Sequence, residues 1–136
     1  MTKNPVTLPP ETTISEAVKK MVERNIGSIL IKKGKKLKGI VTERDVLTRV
    51  IAVDKDPKKT TLNEIMSKPV IQTKDNWDLI EASELMKKKN IRRLAVFDKD
   101  NNLVGIITSD DIARSLRRSV EELASTYYSM YRIRGK

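Results

Sequence analysis

The chain has 136 residues, enough for one domain or for two small subdomains sharing a core. It has no cysteine and no histidine, which excludes a disulfide framework, a thiolate nucleophile, an imidazole base and a Cys/His zinc site. Lys and Arg number 28 against 18 Asp and Glu, a net charge of +10. Such a surface attracts polyanions: nucleic acid, nucleotide phosphates, acidic membranes or acidic partners. Split after Lys68, the first part has 15 basic against 8 acidic residues and the second 13 against 10. No apolar run approaches the roughly 18 residues of a membrane span, and no signal-peptide core follows Met1. The expectation is a soluble, cytoplasmic protein with no membrane contact.

In chain order, Val6–Leu8 is a short extended start after Pro5. Ile14, Ala17, Val18, Met21 and Val22 then recur at helical spacing and predict one apolar stripe. A buried strand over Ser28–Ile31, a polar turn over Lys32–Lys36 and a second strand over Leu37–Val41 predict a hairpin. A short helix is expected to start at Thr42. The charged stretch 53–60, which contains Pro57, reads as a loop, and Leu62–Met66 leads onward. The same order then returns: an extended Val70–Thr73, a helix carrying Leu79, Ala82, Leu85 and Met86, strands Leu94–Phe97 and Leu103–Ile107 around the turn 98–102, and a helix from Thr108. Arg114–Lys136 reads as a basic helical extension whose Leu116, Val120, Leu123, Tyr127 and Met130 form a stripe that should pack on the body or on another subunit. Trp77 is expected to cover the start of its helix, and Tyr127, Tyr128 and Tyr131 to belong to the packing face of the tail rather than to stack on bases.

The recurrence is an internal repeat. Met1-Thr2-Lys3-Asn4-Pro5-Val6 is echoed by Met66-Ser67-Lys68-Pro69-Val70, and Ile14, Ala17, Met21, Asn25 and Ile26 by Leu79, Ala82, Met86, Asn90 and Ile91 at an offset of 65. Gly39-Ile40-Val41-Thr42-Glu43-Arg44-Asp45 recurs as Gly105-Ile106-Ile107-Thr108-Ser109-Asp110-Asp111 at an offset of 66. The unit of about 65 residues reads β-α-β-β-α and occurs twice.

The Gly-h-h-Thr-x-x-Asp stretches could carry chemistry or only structure. Thr-x-x-Asp at a strand-to-helix junction is the pattern of a capping box, with the carboxylate in the first helical turn, and the glycines could serve tight packing. The same atoms suit a ligand: a helix N-terminus with a hydroxyl attracts phosphate, and a first-turn Asp can accept both hydroxyls of a ribose.

The layout resembles the CBS domain, named for cystathionine β-synthase, and the chain resembles one tandem pair, a Bateman module. The resemblance rests on Asn4-Pro5-Val6-Thr7, Glu16-Ala17-Val18, Met66-Ser67-Lys68-Pro69-Val70, Asn90-Ile91-Arg92-Arg93-Leu94-Ala95-Val96-Phe97-Asp98 and both Gly-h-h-Thr-x-x-Asp stretches, over about residues 1–115. It implies an α/β (α+β) fold of two β-α-β-β-α repeats related by pseudo-twofold symmetry: repeat 1 over 1–60, repeat 2 over 61–115, and a C-terminal basic amphipathic helix over 116–136. It also implies clefts between the repeats that take adenosine-containing ligands, with the motif Asp on the ribose and the Thr on phosphate. Those roles fall on Asp111 with Thr108 and on Asp45 with Thr42. The base of the Asp111 site would lie against Thr7, Ile26, Gly27 and Ser28, and that of the Asp45 site against Ile71, Ile91 and Arg92.

Small Gly27 and Ser28 would let an adenine approach the backbone, while Arg92 and Arg93 could hold phosphate in the Asp111 site. Asp110 would repel the ligand unless it turns to solvent, and Arg44 favours an anion beside Asp45. The expected primary site is that of Asp111, with Asp45 weaker. The expected function is a stand-alone regulatory module, not an enzyme, without cofactor or metal. Its regulatory ligand would be an adenosine nucleotide, AMP first, with ATP, ADP, NAD or S-adenosylmethionine as further candidates. The expected partners are a second copy, forming a homodimer, and a separate regulated protein. The alternative is a nucleic-acid-binding protein that uses the basic surface, although helix-turn-helix, zinc-finger and ribonucleoprotein signatures are lacking.

Overall fold

The computed structural model describes residues 1–134, with side chains described as far as Met130. Its elements are β1 (Thr2–Lys3), β2 (Thr7–Leu8), α1 (Ile14–Arg24), β3 (Ser28–Lys33), β4 (Lys36–Thr42), α2 (Glu43–Val46), α3 (Leu62–Ile65), β5 (Gln72–Lys74), α4 (Leu79–Lys89), β6 (Arg93–Phe97), β7 (Leu103–Thr108) and α5 (Ser109–Arg134). A π-helical stretch, Leu47–Ile51, prolongs α2. Two compact units divide the chain: an N-terminal unit, Asn4–Ile71, and a C-terminal unit that runs from Gln72 onward and includes Met1–Lys3.

The two long repeat helices begin and end by the same devices. Thr13 caps α1 through the Glu16 N–H at 3.3 Å, and Asp78 caps α4 through the Ile80 N–H at 2.7 Å. Asn25 (φ 52°) and Asn90 (φ 53°) close them in the left-handed conformation, which asparagine tolerates better than most residues. Ile14, Ala17 and Met21 of α1 are buried, and so are Ala82 and Met86 of α4. Val22, read as part of the stripe, is 76% exposed. It lies at the edge of the apolar arc, where the sheet no longer covers it.

In the N-terminal unit β2 runs parallel to β3 and β3 antiparallel to β4. In the C-terminal unit β5, β6 and β7 repeat that arrangement. The N-terminal core gathers Ile14, Met21, Ile29, Ile31, Val41 and Val50, and the single turn α3 adds Leu62 and Ile65 to it. Leu94, Val96 and Ile107 are fully buried in the C-terminal unit.

The predicted turn over Lys32–Lys36 is shorter than expected. Lys33 pairs with Lys36, so only Gly34 and Lys35 connect the strands, and Gly34 takes the positive φ (62°) that a two-residue hairpin needs. Lysines 32, 33, 36 and 38 therefore stand on strands. The matching turn at 98–102 falls where expected: Asp98 Oδ1 accepts the N–H groups of Asp100 (2.9 Å) and Asn102 (2.8 Å).

Each sheet is completed by a segment that the repeat pattern assigns to the other repeat. Thr2 and Lys3 pair with Ile106 and Gly105 of β7, whereas Ser67 exchanges both backbone hydrogen bonds with Ile40 of β4, at 2.9 and 3.0 Å. Here the repeat glycines find their reason. A Cβ on Gly39 would meet Met66 Sδ at 2.7 Å and the Ser67 carbonyl at 2.8 Å. On Gly105 it would meet Met1 Sδ at 2.7 Å and the Thr2 carbonyl at 2.9 Å. The Met-Thr/Ser-Lys echo and the glycine echo are two sides of one contact.

α5 is a single continuous helix of 26 residues, joining the motif helix and the tail. Leu116, Val120, Leu123 and Met130 are each more than half exposed among the described residues, as are Tyr127 and Tyr128. Tyr131 lies outside the described side chains.

Gly39→Ala is expected to cost about 1–3 kcal/mol of unfolding free energy, read from chemical denaturation, because the displaced atom on one side is backbone and cannot swing away.

Candidate functional site

Both units carry the same joint, where the outer strand of the hairpin turns directly into a helix. In the N-terminal unit the Asp45 N–H donates to Thr42 Oγ1 (3.2 Å) and the Thr42 N–H donates to Asp45 Oδ2 (2.9 Å). In the C-terminal unit the Asp111 N–H donates to Thr108 Oγ1 (3.1 Å) and the Thr108 N–H to Asp111 Oδ2 (2.9 Å). These are reciprocal capping boxes, so the structural use of Thr-x-x-Asp is present in both copies. It does not exhaust the atoms. An ionised carboxylate offers about four lone-pair sites and a threonine hydroxyl keeps its proton to donate.

Each joint has the start of the hairpin beside it. Ser28 pairs with Thr42, and the Glu43 N–H donates to the Gly27 carbonyl at 3.0 Å. In the same way Arg93 pairs with Thr108, and the Ser109 N–H donates to the Arg92 carbonyl at 2.9 Å. The structure thus brings Gly27, Ser28, Thr42, Arg44 and Asp45 together in the N-terminal unit, with Ile26 next to them and Thr7 on the neighbouring strand. It brings Arg92, Arg93, Thr108, Asp110 and Asp111 together in the C-terminal unit, where Ile91 precedes them. Ile71 ends the N-terminal unit.

The two joints differ in charge. Beside Asp45, the Glu43 side chain folds over Gly27, with Oε1 3.1 Å from where a Cβ would stand. A second carboxylate therefore occupies the space that the small residues leave. Beside Asp111 that carboxylate is replaced by Ser109 and the glycine by Arg92, while Asp110 is exposed to solvent.

Two arginines complete the joints, and the sequence motif did not single them out. Arg49, one turn after Asp45, has Nε 3.8 Å from Asp45 Oδ1 and donates through Nη1 to the Ile65 carbonyl at 2.7 Å. Arg114 donates through Nη2 to Asp111 Oδ1 and, among the described residues, has no further partner. Their signal in the sequence was spacing, three and four residues after the Asp, which puts them on the same helix face. Partial burial pushes the Asp111 carboxyl up. The Thr108 N–H, the Arg114 guanidinium and the Met1 ammonium outweigh it and hold the group below its ordinary value of 3.8. Among the described residues no group of three or more carboxylates is arranged to hold a metal ion, and no helix is long and apolar enough to cross a membrane.

The CBS domain family model matches residues 1–52 and 62–118. The chain belongs to the CBS domain family. Its fold is the mixed α/β CBS pair, with two sheets and a long C-terminal helix. An uncharacterised protein of Methanopyrus kandleri is 40% identical over 108 residues, 79% of this chain and 55% of that protein. The CBS domain-containing protein YhcV of Bacillus subtilis is 39% identical over 113 residues, 83% of this chain and 79% of that one. CBS pairs also occur inside enzymes: 106 residues are 37% identical to inosine-5'-monophosphate dehydrogenase of Thermoplasma acidophilum, 78% of this chain but only 20% of the enzyme. A protein with CBS domains from Burkholderia ambifaria has a TM-score of 0.75 at 31% identity, covering 83% of this chain and 82% of that one. The CBS domain protein PAE2072 of Pyrobaculum aerophilum, solved in complex with AMP, has a TM-score of 0.70 at 28% identity, covering 82% and 85%.

The depressed carboxyl fixes a pH dependence. A group whose folded pKa lies below its unfolded value contributes stability that is complete well above 3.8 and is lost as pH falls from there through the folded pKa. In acid denaturation followed by circular dichroism, Asp111→Asn is therefore expected to flatten the loss of stability below about pH 4. An unchanged acid limb would contradict the hydrogen bonding assigned to this carboxylate.

Proposed function

We propose that this CBS pair is a regulatory module, without catalysis of its own, that binds an adenosine nucleotide at the Thr108–Asp111 joint. The observation that carries the reading is the charge contrast between two joints of equal geometry. One has Glu43 folded over Gly27; the other has Arg92 and Arg93 at its side and Asp110 turned to solvent. AMP in the complex of the Pyrobaculum relative is a ligand of the matching class.

In this reading the free lone pairs of Asp111 accept the ribose hydroxyls while the capping bond to Thr108 stays in place. The Thr108 hydroxyl donates to phosphate, and Arg92 and Arg93 supply the cationic partners. Arg114, held only at Asp111 among the described residues, can give up one carboxylate oxygen to the ribose and turn to the phosphate. Arg49 cannot do so without losing the Ile65 carbonyl, which makes Asp45, with Thr42 and Arg44, the weaker site. For the base we propose Thr7, Ile26, Gly27 and Ser28, where a flat ring has to displace the Glu43 side chain from over Gly27. AMP is the first candidate, ahead of ADP, ATP, NAD and S-adenosylmethionine. The regulatory output is a population shift sensed by a separate protein. The proposed assembly is a homodimer, supported by the exposed apolar stripe of α5.

A ligand that binds only the native state raises the melting temperature with the logarithm of its concentration above Kd, adding about 2.7 kcal/mol of stability at a hundredfold excess over Kd. AMP is expected to give such a concentration-dependent shift, strongly reduced in Asp111→Ala and largely kept in Asp45→Ala. A shift equal in wild type and Asp111→Ala would overturn the assignment of the site. In sedimentation equilibrium the chain is expected to run as a dimer; a monomer at all concentrations would remove the dimer from the proposal.

A further inference from the structure

We propose that the β3–β4 hairpin is a second, separate binding surface that grips the phosphate backbone of duplex DNA without reading its sequence. Lysines 32, 33, 35, 36 and 38 fill five of seven consecutive positions at its tip. None of the five has an ion-pair partner among the described residues. Lys33 and Lys36 stand directly opposite each other across the ladder, an arrangement of like charges that destabilises a hairpin.

The second repeat shows that the fold does not require this. The corresponding turn, 98–102, is Asp-Lys-Asp-Asn-Asn and is closed by its own Asp98 hydrogen bonds. One copy of the unit thus has a self-satisfied turn and the other a concentrated, uncompensated positive charge. The two hairpins differ in their turns, two residues against five, and repulsion kept in the shorter one alone points to an outside polyanion that relieves it.

The shape selects among polyanions. Paired residues share a face of a ladder and successive residues alternate, so Lys33 and Lys36 project on one face and Lys32 on the other. Cations on both faces of a two-stranded ribbon suit the walls of a groove. The major groove of B-DNA, about 12 Å wide, admits such a ribbon, whereas that of A-form RNA is too narrow. The hairpin carries no aromatic side chain, which removes the stacking that holds single strands. Gly34, Lys35 and Lys36 at the tip offer no apolar anchor for a lipid surface. Lysines without planar, bidentate base readers make the contact electrostatic.

The test is fluorescence anisotropy of a labelled duplex of about 20 base pairs, titrated with the full chain at several salt concentrations between about 50 and 200 mM. Binding with a linear log–log salt dependence is expected. Lys33→Ser/Lys35→Ser/Lys36→Ser should reduce the magnitude of the slope by about 2.7, and Lys87→Ser/Lys88→Ser/Lys89→Ser, which removes equal charge elsewhere, should leave it unchanged. The hairpin variant should melt no lower than wild type, since it loses repulsion. Absence of DNA binding at the lowest salt would overturn the proposal, and so would equal slopes for the two variants. Hairpin-dependent binding to phosphatidylserine–phosphatidylcholine vesicles without binding to DNA would reassign the surface to membranes.

Discussion

A threonine hydroxyl and an aspartate carboxylate exchange two backbone hydrogen bonds at each strand-to-helix joint, and the surroundings of both candidate sites follow from that exchange. The joint lets a strand turn into a helix with no intervening loop. It satisfies two donors that would otherwise be orphaned where the helix begins. It also fixes a carboxylate beside the first residues of the hairpin, so whatever stands at positions 27–28 or 92–93 becomes its neighbour. Structure and recognition use different lone pairs of the same group, and a role as cap does not argue against a role as ligand.

Duplication makes the molecule its own control. Features shared by the two units are requirements of the fold: the caps, the left-handed asparagines that end α1 and α4, and the glycines against which an incoming backbone packs. Features found in one copy only are free to serve something else. The arginine pair beside Asp111, Arg114 with its single carboxylate partner among the described residues and the lysines of the β3–β4 hairpin all belong to this second class. The C-terminal half of α5 belongs there too. The family match ends at residue 118, and the helix runs on to Arg134 with apolar side chains still exposed.

Local chemistry was legible in the sequence because it is carried by neighbours a few residues apart. The element order, the helix stripes, the turn at Asp98 and the capping reading of Thr-x-x-Asp all depend on spacings of two to four residues. The exchange of Met1–Lys3 and Met66–Lys68 between sheets was not legible, since strand partners are chosen by tertiary packing and a two-residue strand has no periodicity of its own. The polar turn expected over Lys32–Lys36 takes in residues that pair as strand, because lysine is depleted in strands and gives no strand signal. Register with the apolar β4 overrode that preference. Arg49 and Arg114 lay in plain sight at helical spacing, but only coordinates distinguish an arginine held at two points from one held at a single carboxylate.

The central claim, that Asp111 recognises a ribose, is tested most directly by a cycle of calorimetric titrations: AMP and 2'-deoxy-AMP, each against wild type and Asp111→Ala. The account predicts that removing the 2'-hydroxyl weakens binding about tenfold or more in wild type and has little effect in Asp111→Ala, because the partner of that hydroxyl is already gone. Equal penalties in the two proteins would mean that Asp111 and the ribose do not interact. The carboxylate would then be a helix cap and nothing more.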